Sequence, residues 1–312
     1  MGGRKNMKKK IIGILIVTVL ITSVLPALGM NFSNYDGIKL DENEDKLNSL
    51  SYTQGTWLLT TKWGQHDPYH EKTPTDPGGT HYRLGCWSVA IGQIIRYHEL
   101  QSHGEIVYLW GDLNTLVNDL DTFTYNWDLM PDELNASSSP DEIDHVSQLL
   151  YDTATVIQKN WGTMGYCLNS SEKVDEIIDH FQYISVQTEF VNNPPISDII
   201  DEIDHHRPCM LYLENIDKTS GHAVAIDGYQ MGRNFEVHLN MGWNGGEDGF
   251  YEYDKPISIY DNNSVRGVMF IRLSPSKPHK PAGQTKVKKN TEYTFTTITT
   301  YTDGDLLSYI WD

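Results

Sequence analysis

Cysteine is scarce in this sequence, whose 312 residues include only Cys86, Cys167 and Cys209. A secreted chain held together by disulfides normally carries a denser and even set of cysteines, so a disulfide-based scaffold is excluded. No two of the three form a C-x-x-C pair, which excludes the common zinc and dithiol motifs. Because the count is odd, at least one thiol is free. Cys167 and Cys209 are expected to be packing residues or, alternatively, a disulfide.

Positive charge is also in short supply. The chain has 24 Lys and Arg against 42 Asp and Glu, a formal net charge of −18, and five of the basic residues lie within the first ten positions. An acidic surface of this kind repels phosphate backbones and anionic lipid headgroups. Nucleic acid and anionic membranes are therefore excluded as expected partners.

Long apolar runs are absent except for one, which extends from Ile11 to Leu25. Basic residues precede it, and the small residues of Ala27-Leu28-Gly29 follow it, which is the pattern of a secretory signal peptide over residues 1–29. The alternative is an uncleaved N-terminal anchor, because the run is near the lower length limit for a span. After cleavage, no membrane contact is expected, and the mature chain is predicted to be secreted or at the cell surface.

The remaining chain divides by composition. Residues 30–50 are polar and acidic and indicate a leader, whereas residues 51–274 have the pattern of one α+β domain. Residues 275–283 are a proline-rich linker. Residues 284–312 include the alternating Tyr293-Thr294-Phe295-Thr296 and resemble the start of a PKD-type or immunoglobulin-like β module, which is either truncated or disordered here.

Hydrophobic periodicity within the α+β domain places helices before strands. Helical spacing predicts four helices, and short β-rich runs separated by glycine turns predict an antiparallel sheet after them. This order is typical of an α+β fold. The predicted helices are 87–98, 142–159, 174–181 and 196–203, and the predicted strands are 209–213, 222–226, 235–239 and 268–273.

Cys86 is the candidate nucleophile. It follows Gly85 at the first turn of the predicted helix that continues to His98. Unpaired N–H groups and the helix dipole favour a thiolate there, so a lowered pKa is expected for this thiol, with a nearby His222 adding to the effect. The alternative interpretation is a buried, unreactive cysteine.

A cysteine nucleophile needs a general base and a group that orients that base. His222 opens a strand of small and β-branched residues, and Asn240 follows one hairpin later. Asn240 is expected to accept a hydrogen bond from the imidazole, with Trp243 shielding that contact from water. Gln65, upstream of the nucleophile, is a candidate oxyanion donor. For each residue the alternative is a purely structural role.

Together these segments resemble the streptopain family of cysteine peptidases. The segments that carry the resemblance are Gly85–His98, Tyr125-Asn126-Trp127, Gly221–Gly228 and Leu239–Gly246, besides Gln65 ahead of Pro68-Tyr69. They follow the family's order over roughly residues 57–273. Two departures lie in the last segment: Met241 replaces the family's first tryptophan, and Asn244 adds a residue before the glycine pair.

The resemblance implies a papain-like α+β fold and a cysteine endopeptidase that acts on extracellular proteins or peptides without a cofactor or metal. It assigns Cys86 as nucleophile, His222 as general base and Gln65 as oxyanion donor, with Asn240 and Trp243 supporting the imidazole. It also implies a large apolar substrate side chain on the acyl side of the cut. The leader of residues 30–50 is far shorter than the inhibitory pro-domain of the best-known members.

Two alternative functions stay open at this point. One is a related Cys–His acyl transferase or amidase, which would share the order of Cys86 and His222 but would not be expected to carry Tyr-Asn-Trp. The other is a catalytically inactive surface-binding module attached to a stalk. The presence of all four of Cys86, His222, Gln65 and Asn240 is evidence against such a module. Substrate identity and oligomeric state are not encoded in any of these motifs.

Overall fold

The helix predicted to carry the nucleophile is present as α1, Cys86–His98. Its buried side chains are spaced three and four positions apart, as expected for a helix that packs one face against the core. The helix ends at Glu99, whose left-handed φ of 53° lets its N–H bond back to the carbonyls of Ile95 and Arg96. The buried apolar residues of α1 are Val89, Ala90, Ile91, Ile94 and Ile95.

The computed structural model describes residues 52–111, 113–163, 178–181, 186–215, 217, 219–257 and 264–273. The predicted signal peptide, leader, linker and β module lie outside these residues, as does Cys167. Among the described residues, no helix combines the length and the apolar character needed to cross a membrane.

The second helix, α2, is Pro140–Val156, three residues shorter at its C-terminal end than predicted. A capping box between Ser139 and Glu142 starts it, with proline at the first position. It stops because Gln158 adopts a left-handed φ of 53°, which turns the chain away from the helix axis.

The helix predicted over 196–203 is confirmed as α3, Ile196–Asp204. The helix predicted over 174–181 lies largely outside the described residues, which include a short 3₁₀ turn at Asp179–Phe181.

Within the described residues, all four predicted strands of the antiparallel sheet are present, together with four that were not predicted. The strands are β1 Glu105–Trp110, β2 Asn114–Asp119, β3 Val186–Asn192, β4 Cys209–Glu214, β5 Gly221–Met231, β6 Phe235–Asn240, β7 Gly249–Glu252 and β8 Ser264–Leu273. They form one six-stranded antiparallel sheet with the order β3-β8-β4-β5-β6-β7 and one two-stranded ribbon of β1 and β2.

The central strand β5 is buried on both faces. Ala223 and Ala225 belong to the core cluster that contains α1 and α2, whereas Val224 and Ile226 pack with the cluster that contains α3. This alternation follows from the two-residue period of a strand. The small alanines let α1 lie close to the sheet, which brings the helix start beside the start of β5. The predicted α+β class is confirmed.

Candidate active site

Cys86 is the first residue of α1, in the first turn as predicted. The preceding Gly85 has φ 86° and ψ 155°, a conformation that strains any residue with a Cβ atom. The N–H of buried Leu84 donates to the carbonyl of Gln65 at 3.3 Å. The chain therefore enters the helix alongside the segment that contains Gln65. This hydrogen bond fixes that segment beside the nucleophile.

A cavity of about 410 Å³ lies beside the thiol. Cys86 and Gln65 both line it, so the structure places the predicted nucleophile and the predicted oxyanion donor around one space. His222, Asn240 and Trp243 are not among its lining residues. The described residues that line it are Gln65, His81, Tyr82, Arg83, Gly85, Cys86, Lys159, Gly162 and Thr163.

The electrostatics of Cys86 differ from the expectation. Burial raises the pKa of the thiol above its ordinary value, because loss of solvation disfavours the thiolate. Main-chain N–H groups of Ala223, Trp87 and Cys86 itself, followed by the charge of Lys159, oppose this and lower the pKa, but by less than burial raises it. The predicted net lowering of the Cys86 pKa is therefore wrong for the protein without substrate.

His222 is buried in the first part of β5, with 3% of its surface exposed. Its Nε2 lies 3.1 Å from the carbonyl oxygen of Met241. A carbonyl only accepts, so Nε2 carries the hydrogen and the unprotonated nitrogen is Nδ1. Burial lowers the pKa of the imidazole to about 4, although the Met241 carbonyl acts in the opposite direction. The ring is therefore neutral at neutral pH and holds a basic Nδ1.

Trp243 lies against the imidazole, although it was expected to shield a hydrogen bond to Asn240 that the structure does not form. The two rings are stacked, with centroids 4.7 Å apart and planes inclined by 20°. Trp243 itself is partly buried and belongs to the loop after β6. A stacked indole excludes water from one face of the imidazole, which contributes to its burial and hence to its lowered pKa.

Asn240 does not accept the hydrogen bond from the imidazole that was expected of it. Its Oδ1 accepts from the side-chain Nε2 of Gln93 at 2.9 Å and from the N–H of Gly242 at 3.1 Å. Its Nδ2 donates to the carbonyl of Thr61 at 2.6 Å. The partner of the His222 Nε2–H is the carbonyl of Met241 instead, because the loop turns immediately after Asn240. Asn240 therefore holds the loop that presents this carbonyl.

Sequence reasoning missed Gln93, which is fully buried on α1. Its Oε1 accepts from the main-chain N–H of Trp63 at 3.2 Å, while its Nε2 reaches Asn240. A glutamine on the apolar face of a helix was the available signal, since a buried amide needs partners. Gln93 thus ties the nucleophile helix to the loop that orients the base.

Lys159 and the carbonyl of Met241 were also missed. Lys159 follows α2, is 2% exposed and lines the cavity beside Cys86. Its position in the predicted second helix gave no indication of this, because the helix ends earlier than its periodicity suggests. The role of the Met241 carbonyl as the hydrogen-bond acceptor for His222 could not be predicted from the sequence, because every residue carries a main-chain carbonyl.

No group of three or more His, Cys, Asp or Glu among the described residues is arranged to hold a metal ion. His66, His70 and His81 form a row of ring contacts near the cavity, with centroid distances of 6.3 and 5.8 Å.

Comparison with known protein families shows where the chain belongs. Residues 63–251, more than half of the chain, match the model of the Peptidase C10 family. The chain belongs to this family. The family resemblance inferred from the motifs is thereby confirmed, and the matched range contains Gln65, Cys86, His222, Asn240 and Trp243.

Individual relatives are more distant. Streptopain of Streptococcus pyogenes serotype M28 is 28% identical over 224 residues, which cover 63% of this chain and 55% of streptopain. The thiol protease/hemagglutinin PrtT of Porphyromonas gingivalis is 28% identical over 199 residues, which cover 61% of this chain and 22% of PrtT. The chain thus matches about half the length of streptopain.

Among solved structures, active wild-type interpain A cysteine protease of Prevotella intermedia superposes with a TM-score of 0.60 at 21% identity. The match covers 71% of this chain and 96% of the interpain A chain. At this identity the likeness establishes the fold, and it confirms the predicted papain-like class.

Proposed function

We propose that this chain is a secreted cysteine endopeptidase that hydrolyses extracellular proteins or peptides through an acyl-enzyme intermediate. One observation carries the proposal. Cys86 begins a helix at the edge of a cavity that it shares with Gln65, and its sulfur accepts a hydrogen bond from the N–H of Ala223, the residue after His222. This arrangement supports a mechanism in which a nucleophile, an amide donor and a base with an unprotonated Nδ1 act together. Membership of the C10 family supports the same reaction class.

The first half of the reaction forms the acyl-enzyme. The Cys86 sulfur attacks the peptide carbonyl carbon while its proton passes to Nδ1 of His222. The carbonyl oxygen becomes an oxyanion, for which the Gln65 amide and the main-chain N–H of Cys86 are the donors. The C–N bond then breaks, and the proton on Nδ1 goes to the departing amine.

The second half releases the acyl group. A water molecule gives a proton to Nδ1 of His222 and attacks the thioester carbon, with the same two donors at the oxyanion. The C–S bond breaks, the acid departs and the sulfur regains its proton. Catalysis needs no metal or cofactor at any of these steps.

Export is the remaining part of the proposal. The basic segment, the apolar run and the small residues up to Gly29 support a signal peptide. N-terminal sequencing of protein from the culture medium of an expressing host is expected to start near Met30. Recovery of the chain with Met1 intact in a membrane fraction would show that the segment is an anchor.

The enzymatic test is digestion of casein by the purified chain, with Cys86→Ser as the decisive variant. The hydroxyl is a far weaker nucleophile in a site built for a thiol, so the rate is expected to fall at least about a thousandfold. Iodoacetamide is expected to inactivate the wild type in proportion to labelling of Cys86.

Cys209→Ala is the matched control, because Cys209 is fully buried in β4 and does not line the cavity beside Cys86. It is expected to lose some stability but to retain proteolysis. Casein cleavage by Cys86→Ser near the wild-type rate would overturn the assignment. Hydrolysis of an amide in small acyl donors but not in peptides would favour the acyl transferase or amidase alternative, and no turnover at all would favour the binding module.

A further inference from the structure

The cavity beside Cys86 has a charge opposite to that of the chain as a whole. Asp and Glu outnumber Lys and Arg by 42 to 24 in the sequence, yet none of the described residues lining the cavity is acidic. Two lining residues, Lys159 and Arg83, are cationic, and Gln65 and Thr163 add polar groups. A cavity with low-dielectric walls strengthens the field of such charges.

Lys159 is the buried member of the pair and is held from several sides. Its N–H donates to the carbonyl of Ala154 at 2.9 Å, and its own carbonyl accepts from the Tyr108 hydroxyl at 2.8 Å. Its Nζ donates to the carbonyl of Thr163 at 2.6 Å. With 2% of the residue exposed, the ammonium group is fixed rather than free to extend into solvent.

The field of this ammonium reaches the nucleophile. Lys159 is the one charged residue among the causes that act on Cys86, and it lowers the pKa of the thiol. Arg83 is exposed, precedes Gly85 by two residues and also lines the cavity. Burial and, to a smaller extent, the charge of Arg83 lower the pKa of His66, and the second effect is consistent with a positive field on this side.

We propose that this cavity is a subsite for an acidic substrate side chain, in which Lys159 binds the carboxylate of a Glu or Asp next to the cleaved bond and Arg83 attracts it. The inference rests on the proposed peptidase function and names a substrate class for it. A volume of about 410 Å³ accommodates one side chain. An ammonium and a guanidinium both donate hydrogen bonds to carboxylates, and such charge-assisted bonds are stronger than neutral ones.

This subsite adds to the apolar preference that the resemblance to streptopain implies. The apolar substrate side chain is expected on the acyl side of the cleaved bond. The acidic substrate side chain occupies the position, among those next to the bond, that faces Lys159. Mass-spectrometric mapping of casein fragments gives the cut sites first. A peptide around the best site is then made with Glu, Gln or Leu at each of the two positions before and the two after the bond.

The readout is the ratio of kcat/KM for the Glu peptide to that for the Gln peptide, since the two differ in charge and hardly in size. At one position the wild type is expected to prefer Glu by about tenfold. In Lys159→Met the ratio is expected to fall to near one, and in Lys159→Arg to remain well above one. Arg83→Gln, at an exposed position, is expected to reduce the ratio by about twofold to fivefold through weaker attraction.

Lys72→Met is the matched control, because Lys72 is a partly exposed lysine paired with Asp144 and does not line this cavity. Its ratio is expected to equal that of the wild type. Thermal unfolding checks that each variant folds. If Lys159→Met does not fold, the wild-type ratio and its reduction in Arg83→Gln decide the question.

A wild-type ratio near one at all four positions, or a Lys159→Met ratio equal to that of the wild type, would overturn the subsite. Either result can be obtained only with an enzyme that cuts peptides, so it leaves the peptidase function intact. Failure of the peptidase function has a different signature, namely no casein cleavage or cleavage that survives Cys86→Ser.

Discussion

The imidazole of His222 depends on two neighbours that set its tautomer and its solvation. The Met241 carbonyl fixes the hydrogen on Nε2, and the Trp243 indole covers one face of the ring. The first interaction leaves Nδ1 unprotonated and so able to act as a base, and the second keeps the ring poorly hydrated. The low pKa of about 4 for this histidine is the result of burial. Burial thus keeps the imidazole neutral at neutral pH, which is the form that can accept a proton.

Trp243→Ala is expected to move the acid limb of the pH profile. Exposing the ring raises the pKa of His222 from about 4 towards its ordinary value of 6.5, because burial is the main cause of the lowering. The base must be neutral to act, so kcat/KM is expected to fall at a higher pH than in the wild type. At neutral pH, loss of the stack is expected to cost up to about tenfold in kcat/KM.

Trp57→Ala provides the matched control for this experiment. Trp57 is also stacked on a buried histidine, His238, with centroids 4.5 Å apart and planes inclined by 8°. His238 pairs with Asp227 and does not line the cavity. The acid limb is expected to stay where it is in this variant. An unmoved limb in Trp243→Ala would contradict the role assigned to the indole.

Residue types were easier to predict than their partners. Cys86, His222 and Trp243 could be found because thiol, imidazole and indole are distinctive and stand in recognisable local sequences. The hydrogen-bond partner of the imidazole could not be predicted, because a main-chain carbonyl is present at every residue. The sequence instead suggested the side chain of Asn240, which is next to Met241. The pKa direction of Cys86 could not be predicted either, because it depends on how deeply two distant segments bury the thiol.

Helix α1 is the element on which the site is built. Its start carries Cys86, its middle carries Gln93, and Gly85 sets the angle at which the chain enters it. Gly85 is required because its φ of 86° lies in the left-handed half of conformational space. An alanine would be forced either to adopt this strained conformation or to shift the helix start and the thiol with it.

Gly85→Ala is expected to lower the free energy of unfolding by roughly 1–2 kcal/mol, the cost of holding a Cβ residue at this φ. Activity is expected to fall more than stability does, because any relaxation moves Cys86. Urea unfolding and casein assays measure the two effects.

Gly232→Ala is the control for this substitution. Gly232 has no strained φ, and a Cβ there would meet only the carbonyl oxygen of Asn234, at 3.9 Å. It is expected to unfold and to cleave casein like the wild type. Equal behaviour of the two alanine variants would show that the conformation of Gly85 is not required.

Element prediction succeeded where periodicity was unambiguous. The apolar residues of α1 recur at helical spacing, and β4, β5 and β6 read as compact β-rich runs. The ribbon of β1 and β2 was missed because Val107, Leu109 and Val117 are apolar yet more than half exposed. They remove the alternation of polar and apolar residues that signals a half-buried strand.

On the scale of the whole molecule, a buried carboxylate joins three segments that carry no catalytic residue. Asp152 on α2 accepts from the Tyr125 hydroxyl at 2.6 Å and from the side-chain amides of Asn118 on β2 and Gln148 at 2.9 and 2.8 Å. Tyr125 belongs to the Tyr-Asn-Trp segment that supported the family resemblance. The motif therefore has a structural explanation, which its sequence alone did not reveal.

Asp152→Asn is expected to change how stability depends on pH. Burial raises the pKa of Asp152 from 3.8 to about 6, so the folded protein prefers the protonated carboxyl. Folding carries no penalty from this group below about pH 4, where the carboxyl is protonated in both states. As pH rises to about 6, the unfolded chain ionises more readily, and a cost of roughly 3 kcal/mol develops.

An asparagine has no such proton to lose. The free energy of unfolding of the wild type minus that of Asp152→Asn is therefore expected to fall by roughly 3 kcal/mol between pH 4 and pH 6 and to stay level above it. Taking the difference cancels the other titrating groups, among them His222, whose lowered pKa acts in the opposite direction over this range. Asp254→Asn, at an exposed carboxylate, is expected to show no such trend. Urea unfolding at half-unit pH steps measures the difference, and a value constant from pH 4 to pH 6 would mean that Asp152 ionises as easily in the folded protein as in the unfolded chain.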